Sequence, residues 1–479
     1  MTGFDASGAA VVSQVARTRF EEGEQLFLRM YLYASCQTRS CGGDETCDDG
    51  RCIPSRRTGA EYNSDPAPIT PRPIDGDGDG GTEGGTDCDP SRCWTGCDVG
   101  PCDEITQLAA GGAHTCALST EGRIYCWGYN DDGQIGNGAM GNSAPPTEIT
   151  LPMAADEITA GLDHTCAVLM DSSIFCWGDN GDGQLGNPNL VDNLSPTMAS
   201  GVGPDAEIEG IAAGGLHTCL VELIEPNGGI RSFSCTGSNE ALQLGPMATE
   251  DRSSFGASVN LADIEAIAAG DQHTCIVIRS RIECWGESDS GRLGNNRSEA
   301  GIATPTPVLG PGGTAIENAV DIALGKTHTC FIDDATEVRC FGTGDKGELG
   351  AGTADALVAE VGPEATPGTF LAGFTELSAG VQQTCGIRNG EVWCWGASND
   401  GALALGTVVT AQPPTQLDVP GTATRIAVGG GDDPLDGPNP VTHVCALVDG
   451  QVYCWGNSAQ GQTGRETPLV DTPTLVPSP

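Results

Sequence analysis

Six histidines and fourteen of the 22 cysteines recur in one fixed order along this chain. Either residue can ligate a metal, an imidazole can act as a general base, and paired cysteines can form a disulfide. In DHTCAVLMDSSIFCWGDNGDGQLGN, residues 163–187, a histidine precedes the first cysteine and a Trp-Gly follows the second, ten residues on. The same order runs through seven copies. The first cysteines are Cys116, Cys166, Cys219, Cys275, Cys330, Cys385 and Cys445; the second are Cys126, Cys176, Cys235, Cys284, Cys340, Cys394 and Cys454. Five second cysteines are followed by tryptophan (Trp127, Trp177, Trp285, Trp395, Trp455), the others by Thr236 and Phe341.

The histidines are His114, His164, His217, His273, His328 and His443, with Gln383 at the sixth copy's position. From copy to copy the steps are 50, 53, 56, 55, 55 and 60 residues. A catalytic histidine would be unique. Six equivalent ones, with glutamine accepted in one copy, read as structural hydrogen-bonding groups. No catalytic, cofactor-binding or metal-ligating residue is assigned.

For the cysteines, local turn chemistry decides. Asn389-Gly390 and Asp449-Gly450 are signals for a two-residue type I′ hairpin turn. Counting outward, Arg388 faces Glu391, and Cys385 and Cys394 fall on a non-hydrogen-bonded pair, where Cα atoms approach to ~4.5 Å. That is at the short end of the disulfide range. Each copy is therefore expected to carry a disulfide across a hairpin; spacings of nine or ten fit two- and three-residue turns. Cys219 and Cys235 need a longer tip, which Glu225–Gly229 supplies. Zinc is the alternative, but one hairpin offers two cysteines and one histidine without the paired C-x(2–4)-C spacing. Free buried thiols are the other.

Those hairpins need neighbours. Each copy reads as four short strands: Glu157–Gly161, His164–Leu169, Ser173–Gly178, and then a Pro-Thr-x-apolar strand such as Pro146–Ile149, Pro196–Met198 or Pro414–Leu417. Four strands per roughly 50 residues, seven times, is the arithmetic of a β-propeller. The 70 glycines agree with an all-β chain. The first copy opens without a Pro-Thr strand before it, and the last ends on Thr472–Val476. This leads to the expectation that the C-terminal strand joins the first copy's sheet and closes the ring.

The pattern A-x-G-x-x-H-T-C…G-x-V-x-C-W-G-x-N-x-x-G-Q-L-G resembles the repeat of the regulator of chromosome condensation family, over about residues 105–479. Gly133–Gly136, Gly183–Gly186 and Gly347–Gly350 carry its last four positions. The resemblance implies a seven-bladed β-propeller. Paired cysteines and acidity depart from the eukaryotic members and point away from their nuclear role, toward a bacterial, secreted type.

Ahead of the propeller (103–479), residues 1–35 suggest a short β segment, the tail of a β-sandwich, with strands over 10–20 and 25–33; a helix over 20–33 is the alternative. Cys36, Cys41, Cys47 and Cys52 form one small module (36–52), and Cys88, Cys93, Cys97 and Cys102 a second (88–102). Each reads as a disulfide knot of unassigned pairing, with zinc as the alternative. Between them, 53–87 read as an acidic Pro/Gly/Asp-rich linker. Its Asp75–Gly80 run begins like a calcium loop but lacks the closing glutamate, since position 12 is Thr86.

A net charge of −43 argues against nucleic acid and anionic membrane surfaces. No run of 18 apolar residues spans a membrane. Cysteines in regular pairs imply an oxidising compartment, although the N-terminus carries no export signal; the expectation is that one lies upstream of Met1. The reading is a secreted or cell-surface scaffold, monomeric and non-catalytic, binding an unknown protein through loops of one propeller face, without cofactor. The divergent connections Glu225–Gly229, Gly310–Thr314, Ala354–Thr369 and Gly429–Pro440 are its candidates. Alternatives are an enzyme inhibitor, marked by an aromatic patch, a guanine-nucleotide exchange factor, and a channel hydrolase or lyase, marked by convergent titratable residues.

Overall fold

Alternating small and β-branched residues between glycine-rich turns leave this chain no route to a long helix. The computed structural model describes residues 16–19, 25–28, 45–48 and 51–54, and residues 103–479 apart from 204–205, 226–229, 257–258, 296, 298–300, 311–312, 351–354, 362–363, 367–368, 371, 399–400, 407–408 and 434–436. Among the described residues there is no helix. The chain divides into two compact units. In the first, Ala16–Arg19 pairs antiparallel with Gln25–Leu28, and Glu45–Asp48 with Arg51–Pro54, setting Cys47 opposite Cys52. The rest of the two cysteine modules and the linker lie outside the described residues.

The second unit is a seven-bladed β-propeller. Each blade is a four-stranded antiparallel sheet whose strands follow in chain order, from inner to outer. The first blade is Ile105–Ala110, His114–Ser119, Ile124–Gly128 and Ser143–Ile149. The seventh is Ala423–Asp433, Gly437–Val448, Gln451–Asn457 and Leu469–Leu475. The C-terminal strand therefore pairs within its own blade, on Tyr453, Cys454, Gly456 and Asn457, and does not join the first sheet. The expectation of a shared closing sheet is corrected. Its error was one of phase: each Pro-Thr strand belongs to the copy it follows, so the first and last copies are both complete. Proline is tolerated because this strand is the blade's outer edge.

The hairpins follow their turn residues. Asn389 and Gly390 have φ of 51° and 81°, and Asp449 and Gly450 48° and 83°, the paired positive values of a type I′ turn. Arg388 faces Glu391 and Cys385 faces Cys394. In all seven blades the two cysteines are register partners with Cα atoms 4.0–4.1 Å apart, the close approach of a non-hydrogen-bonded pair, and they form disulfides. Where the spacing is ten, a three-residue loop ends on a positive φ, at Gly122 (74°), Ser172 (64°) and Thr336 (63°).

The fourth hairpin makes the same two-residue turn from Arg279 (φ 52°) and Ser280 (φ 59°), residues that pay for the left-handed region with Cβ strain. Replacing them with Asn-Gly (R279N/S280G) is expected to raise stability by about 0.5–1 kcal/mol, read as a higher urea midpoint. The Arg279–Asp263 pair lost in the exchange is solvent-exposed and contributes little.

Between adjacent blades lie the apolar clusters that form the core. The first and seventh blades are sealed in this way by Ile105, Tyr125 and Trp127 against Leu447, Val452 and Val476.

Candidate interaction surface

Antiparallel order sorts the connections by face. Turns joining inner to second strands, and third to outer strands, share one face, called here the loop face. Second-to-third hairpin tips and the passages between blades share the hairpin face.

The repeated polar residues lie at neither face. Each histidine is fully buried and turned toward the next blade. His114 Nε2 lies 2.8 Å from Thr165 Oγ1, and His164 pairs in the same way with Thr218, His217 with Thr274, His273 with Thr329, His328 with Thr384 and His443 with Thr115. The last of these closes the ring. Each threonine hydroxyl also donates to a carbonyl of the preceding blade's G-Q-L-G turn, as Thr165 does to Gln134 O at 2.9 Å. A hydroxyl has one proton, and a carbonyl can only accept. Nε2 must therefore carry the imidazole hydrogen. The same carbonyls take the indole N–H of Trp127, Trp177, Trp285 and Trp395, and Trp455 donates to Ala402 O. Histidine, threonine, tryptophan and turn carbonyl form one interlock between successive blades. Burial pushes His114, His164 and His328 down to about 3 and His217 and His443 to about 4, and holds His273 well below its ordinary value.

One interlock differs. Gln383 turns back to donate to Ala397 O in its own blade, at 2.8 Å. The facing position of the seventh blade, threonine elsewhere, is Val444. Donor and acceptor are lost together, and the seam is closed by apolar packing of Val444 with Ile387, Leu403 and Trp455.

The channel is a collar of small residues. A Cβ on Gly161 would lie 2.2 Å from His164 Cε1 and 2.4 Å from Gly214 O, and Gly111, Gly214, Gly270 and Gly325 are hemmed in alike. Among the described lining residues only Asp271 and Lys326 are ionisable. Toward the other end Asp321 and Glu376 are neighbouring half-buried carboxyls, which loss of solvent pushes up to about 6 and about 7. Both are engaged: Asp321 accepts the Leu377 N–H and Glu376 the Ile426 N–H, capping the next blade's inner-strand edge, and Glu376 pairs with Arg425.

Carboxylates collect instead on the loop face of the first three blades. Asp131, Asp132, Asp179, Asp182, Asp192 and Asp251 stand on third-to-outer connections, and Asp163 on the second blade's inner turn. They influence one another across blade boundaries. Asp163 is pushed up to about 6 by burial and then by Asp132 and Asp179, against the hydrogen bond from Gln134. Burial raises Asp182, and Asp179 and Asp251 raise it further. Asp131, Asp132, Asp179 and Asp182 belong to the repeated W-G-x-N-x-x-G turns of the sequence. Asp163, Asp192 and Asp251 lie outside the W-G-x-N turn pattern, and only the fold brings them in.

The chain matches two profiles of the regulator of chromosome condensation (RCC1) repeat, one over residues 105–134 and 156–184, the other over 121–168, 171–221, 284–332 and 389–431. The propeller belongs to the regulator of chromosome condensation repeat family. It is 28% identical over 372 residues to the human E3 ubiquitin-protein ligase HERC2, a match covering 76% of this chain and 7% of that protein. To the ultraviolet-B receptor UVR8 of Arabidopsis thaliana it is 27% identical over 376 residues, covering 76% of this chain and 79% of the receptor. Prp20p of Saccharomyces cerevisiae superposes with a TM-score of 0.55 at 21% identity, covering 68% of this chain and 80% of that one.

On this regulator of chromosome condensation propeller the four divergent connections do not gather on one face. Glu225 leads into a hairpin tip and Gly310–Thr314 lies on a passage between blades, both at the hairpin end, whereas Ala354–Thr369 begins with the fifth blade's outer strand, Asp355–Val361, and reaches the passage only beyond it; parts of all four connections lie outside the described residues. Gly429–Pro440 belongs to the seventh blade's long inner hairpin at the loop end, where Gly430 N donates to Gly111 O at 3.0 Å. The expectation of one face is corrected, because insertion length alone does not reveal which end of a strand it follows.

The altered seam gives a test of the interlock. Gln383→His alone leaves a buried N–H facing Val444 and is expected to destabilise by about 1–3 kcal/mol. Adding Val444→Thr supplies the acceptor, and the cycle should show a favourable coupling of about 1–2 kcal/mol, measured by urea unfolding of all four proteins. Additivity would show that the His–Thr contact carries no energy.

Proposed function

We propose that this chain is a non-catalytic, protein-binding scaffold, secreted or displayed on a cell surface, whose contact surface is the loop face. One observation supports it most: the repeated polar side chains are consumed between blades, so the frame spends its chemistry on itself. The disulfide in every blade supports an oxidising compartment. The acidity argues against nucleic acid as partner, and a monomer is expected. Guanine-nucleotide exchange is the second reading, favoured by the likeness to Prp20p, whose structure was described with its binding to Gsp1p and histones. That likeness carries the fold, and the exchange reading requires a reducing compartment in which these bridges would not persist. An inhibitor's aromatic patch finds no support: among the described residues no phenylalanine, tyrosine or tryptophan is an exposed large hydrophobic.

The test is photo-crosslinking at single positions of the exported protein in its native source. Crosslinkers at Asp131, Asp182 and Asp251 should trap one recurrent protein, and those at Met170 and Val320, on the hairpin face, should not. Trapping from the hairpin face alone would overturn the choice of surface. Trapping of a GTPase would bring exchange forward.

A further inference from the structure

We propose that the loop face of the first three blades docks a cationic, amphipathic segment of a protein partner; this deepens the scaffold reading and rests on it. The first observation is apolar. Met140 (65% exposed), Leu190 (51%), Val191 (59%) and Met247 (51%) stand on the third-to-outer connections of the first, second and third blades. The first connection reaches the second blade's outer strand, where Gly138 N donates to Leu194 O at 2.8 Å, and the second lies against the third, where a Cβ on Gly183 would fall 2.6 Å from Ser253 Cα. Unbranched, polarisable methionine suits a surface that must fit an apolar stripe rather than a rigid pocket. Among the described residues the other exposed methionines lie elsewhere, Met153 and Met170 at the hairpin end and Met198 on an outer strand.

The second observation selects the occupant. The three connections, residues 129–142, 179–192 and 238–258, hold eight carboxylates and one cation, Arg252. In the fourth connection, residues 287–301, three acids face two arginines. The excess is therefore local as well as global. It excludes a second copy of this chain, which carries the same charge of −43, and it repels anionic lipid and nucleic acid. A segment with lysine or arginine on one side and leucine-like residues on the other satisfies both features, and its approach is steered by the field.

The probes are a Lys/Leu peptide of about 18 residues with helical amphipathic spacing, and a scrambled peptide of the same composition with no apolar face. The full chain carries 13C-methyl methionine. The amphipathic peptide is expected to bind roughly ten-fold or more tighter than the scrambled one. Met140 and Met247 methyls should shift while Met153 and Met170 stay still. The variant Met140→Ser/Leu190→Ser/Met247→Ser should lose about ten-fold in affinity for the amphipathic peptide and keep its affinity for the scrambled one. Asp131→Asn/Asp132→Asn/Asp182→Asn should weaken both peptides and flatten their salt dependence. Equal affinity for the two peptides would reduce the face to a counter-ion surface and overturn the proposal, as would shifts confined to Met153 and Met170, or no binding. If the peptides fail while loop-face crosslinkers still trap a partner, this inference falls and the scaffold stands.

Discussion

Gly161→Ala is expected to destabilise the propeller by about 3–5 kcal/mol, or to prevent its folding. The added methyl would sit 2.2 Å from His164 Cε1 and 2.4 Å from the Gly214 carbonyl of the next blade. Neither can yield cheaply. The imidazole is held by Thr218, and the carbonyl belongs to the collar. Gly161 does not occupy the left-handed φ region, so the cost arises from contact rather than backbone strain. Gly203→Ala is the control, with nothing within 4 Å of the added atom, and should change stability by less than about 0.5 kcal/mol. The double variant Gly161→Ala/His164→Gln should recover part of the loss. The natural precedent is the sixth blade, where the glutamine Oε1 lies 3.8 Å from the corresponding Cβ position at Gly380. Urea unfolding of the four proteins measures this. An unchanged midpoint for Gly161→Ala would mean that the collar is loose.

The second large effect is acid sensitivity, and its sign follows from which state holds the protons. The six interlock imidazoles titrate at about 3 to 4, or in the case of His273 well below 6.5, when folded, and near 6.5 when unfolded. Below pH 6.5 the unfolded chain therefore binds up to six protons that the folded one refuses, and stability falls as pH falls. Four buried or half-buried carboxyls oppose this. Asp163 and Asp321 are raised to about 6, and Glu348 and Glu376 to about 7, mainly by burial, so the folded chain holds protons there that the unfolded chain has released. Between roughly pH 4.5 and 6 the surplus is about two protons, a loss of about 2.7 kcal/mol per pH unit. Below about pH 4 the unfolded carboxyls also protonate, but His217 and His443 begin to bind protons in the folded state as well, so the surplus stays near three protons, about 4 kcal/mol per unit. Stability is expected to be level above pH 7 and to collapse cooperatively near pH 4. In His164→Gln the slope below pH 6 should drop by one proton, about 1.4 kcal/mol per unit, whatever the variant's stability at pH 7. A profile insensitive to that change would remove the buried neutral imidazole from the account.

What was legible in the sequence was what is local or repeated. Asn389-Gly390 sets the register of its hairpin through two positive φ values, so the facing of Cys385 and Cys394 could be counted outward from the turn. Arg279-Ser280 makes the same turn with no glycine or asparagine to announce it. Repetition marked the histidines as structural, but their threonine partners lie 51 to 57 residues downstream, or back at Thr115, and no short-range pattern shows that. A trace did exist. The two departures from His-Thr-Cys, at Gln383 and Val444, fall in adjacent copies, as a blade-to-blade bond requires. The phase of the repeat was misread because a periodic sequence does not mark its own start. The acidic loop face was visible only in part, since Asp163 and Asp251 join it through the folding of neighbouring blades.

The central claim is that an oxidised, interlocked frame presents a loop face for binding outside a reducing compartment. Intact mass after thiol alkylation tests it most directly, on protein made in its native source and collected with and without reduction. The account predicts that the fourteen propeller cysteines label only after reduction, with the loss of seven bridges. Labelling of those cysteines without reduction would contradict it and return the chain to a reducing compartment, where an intracellular regulator becomes the better reading.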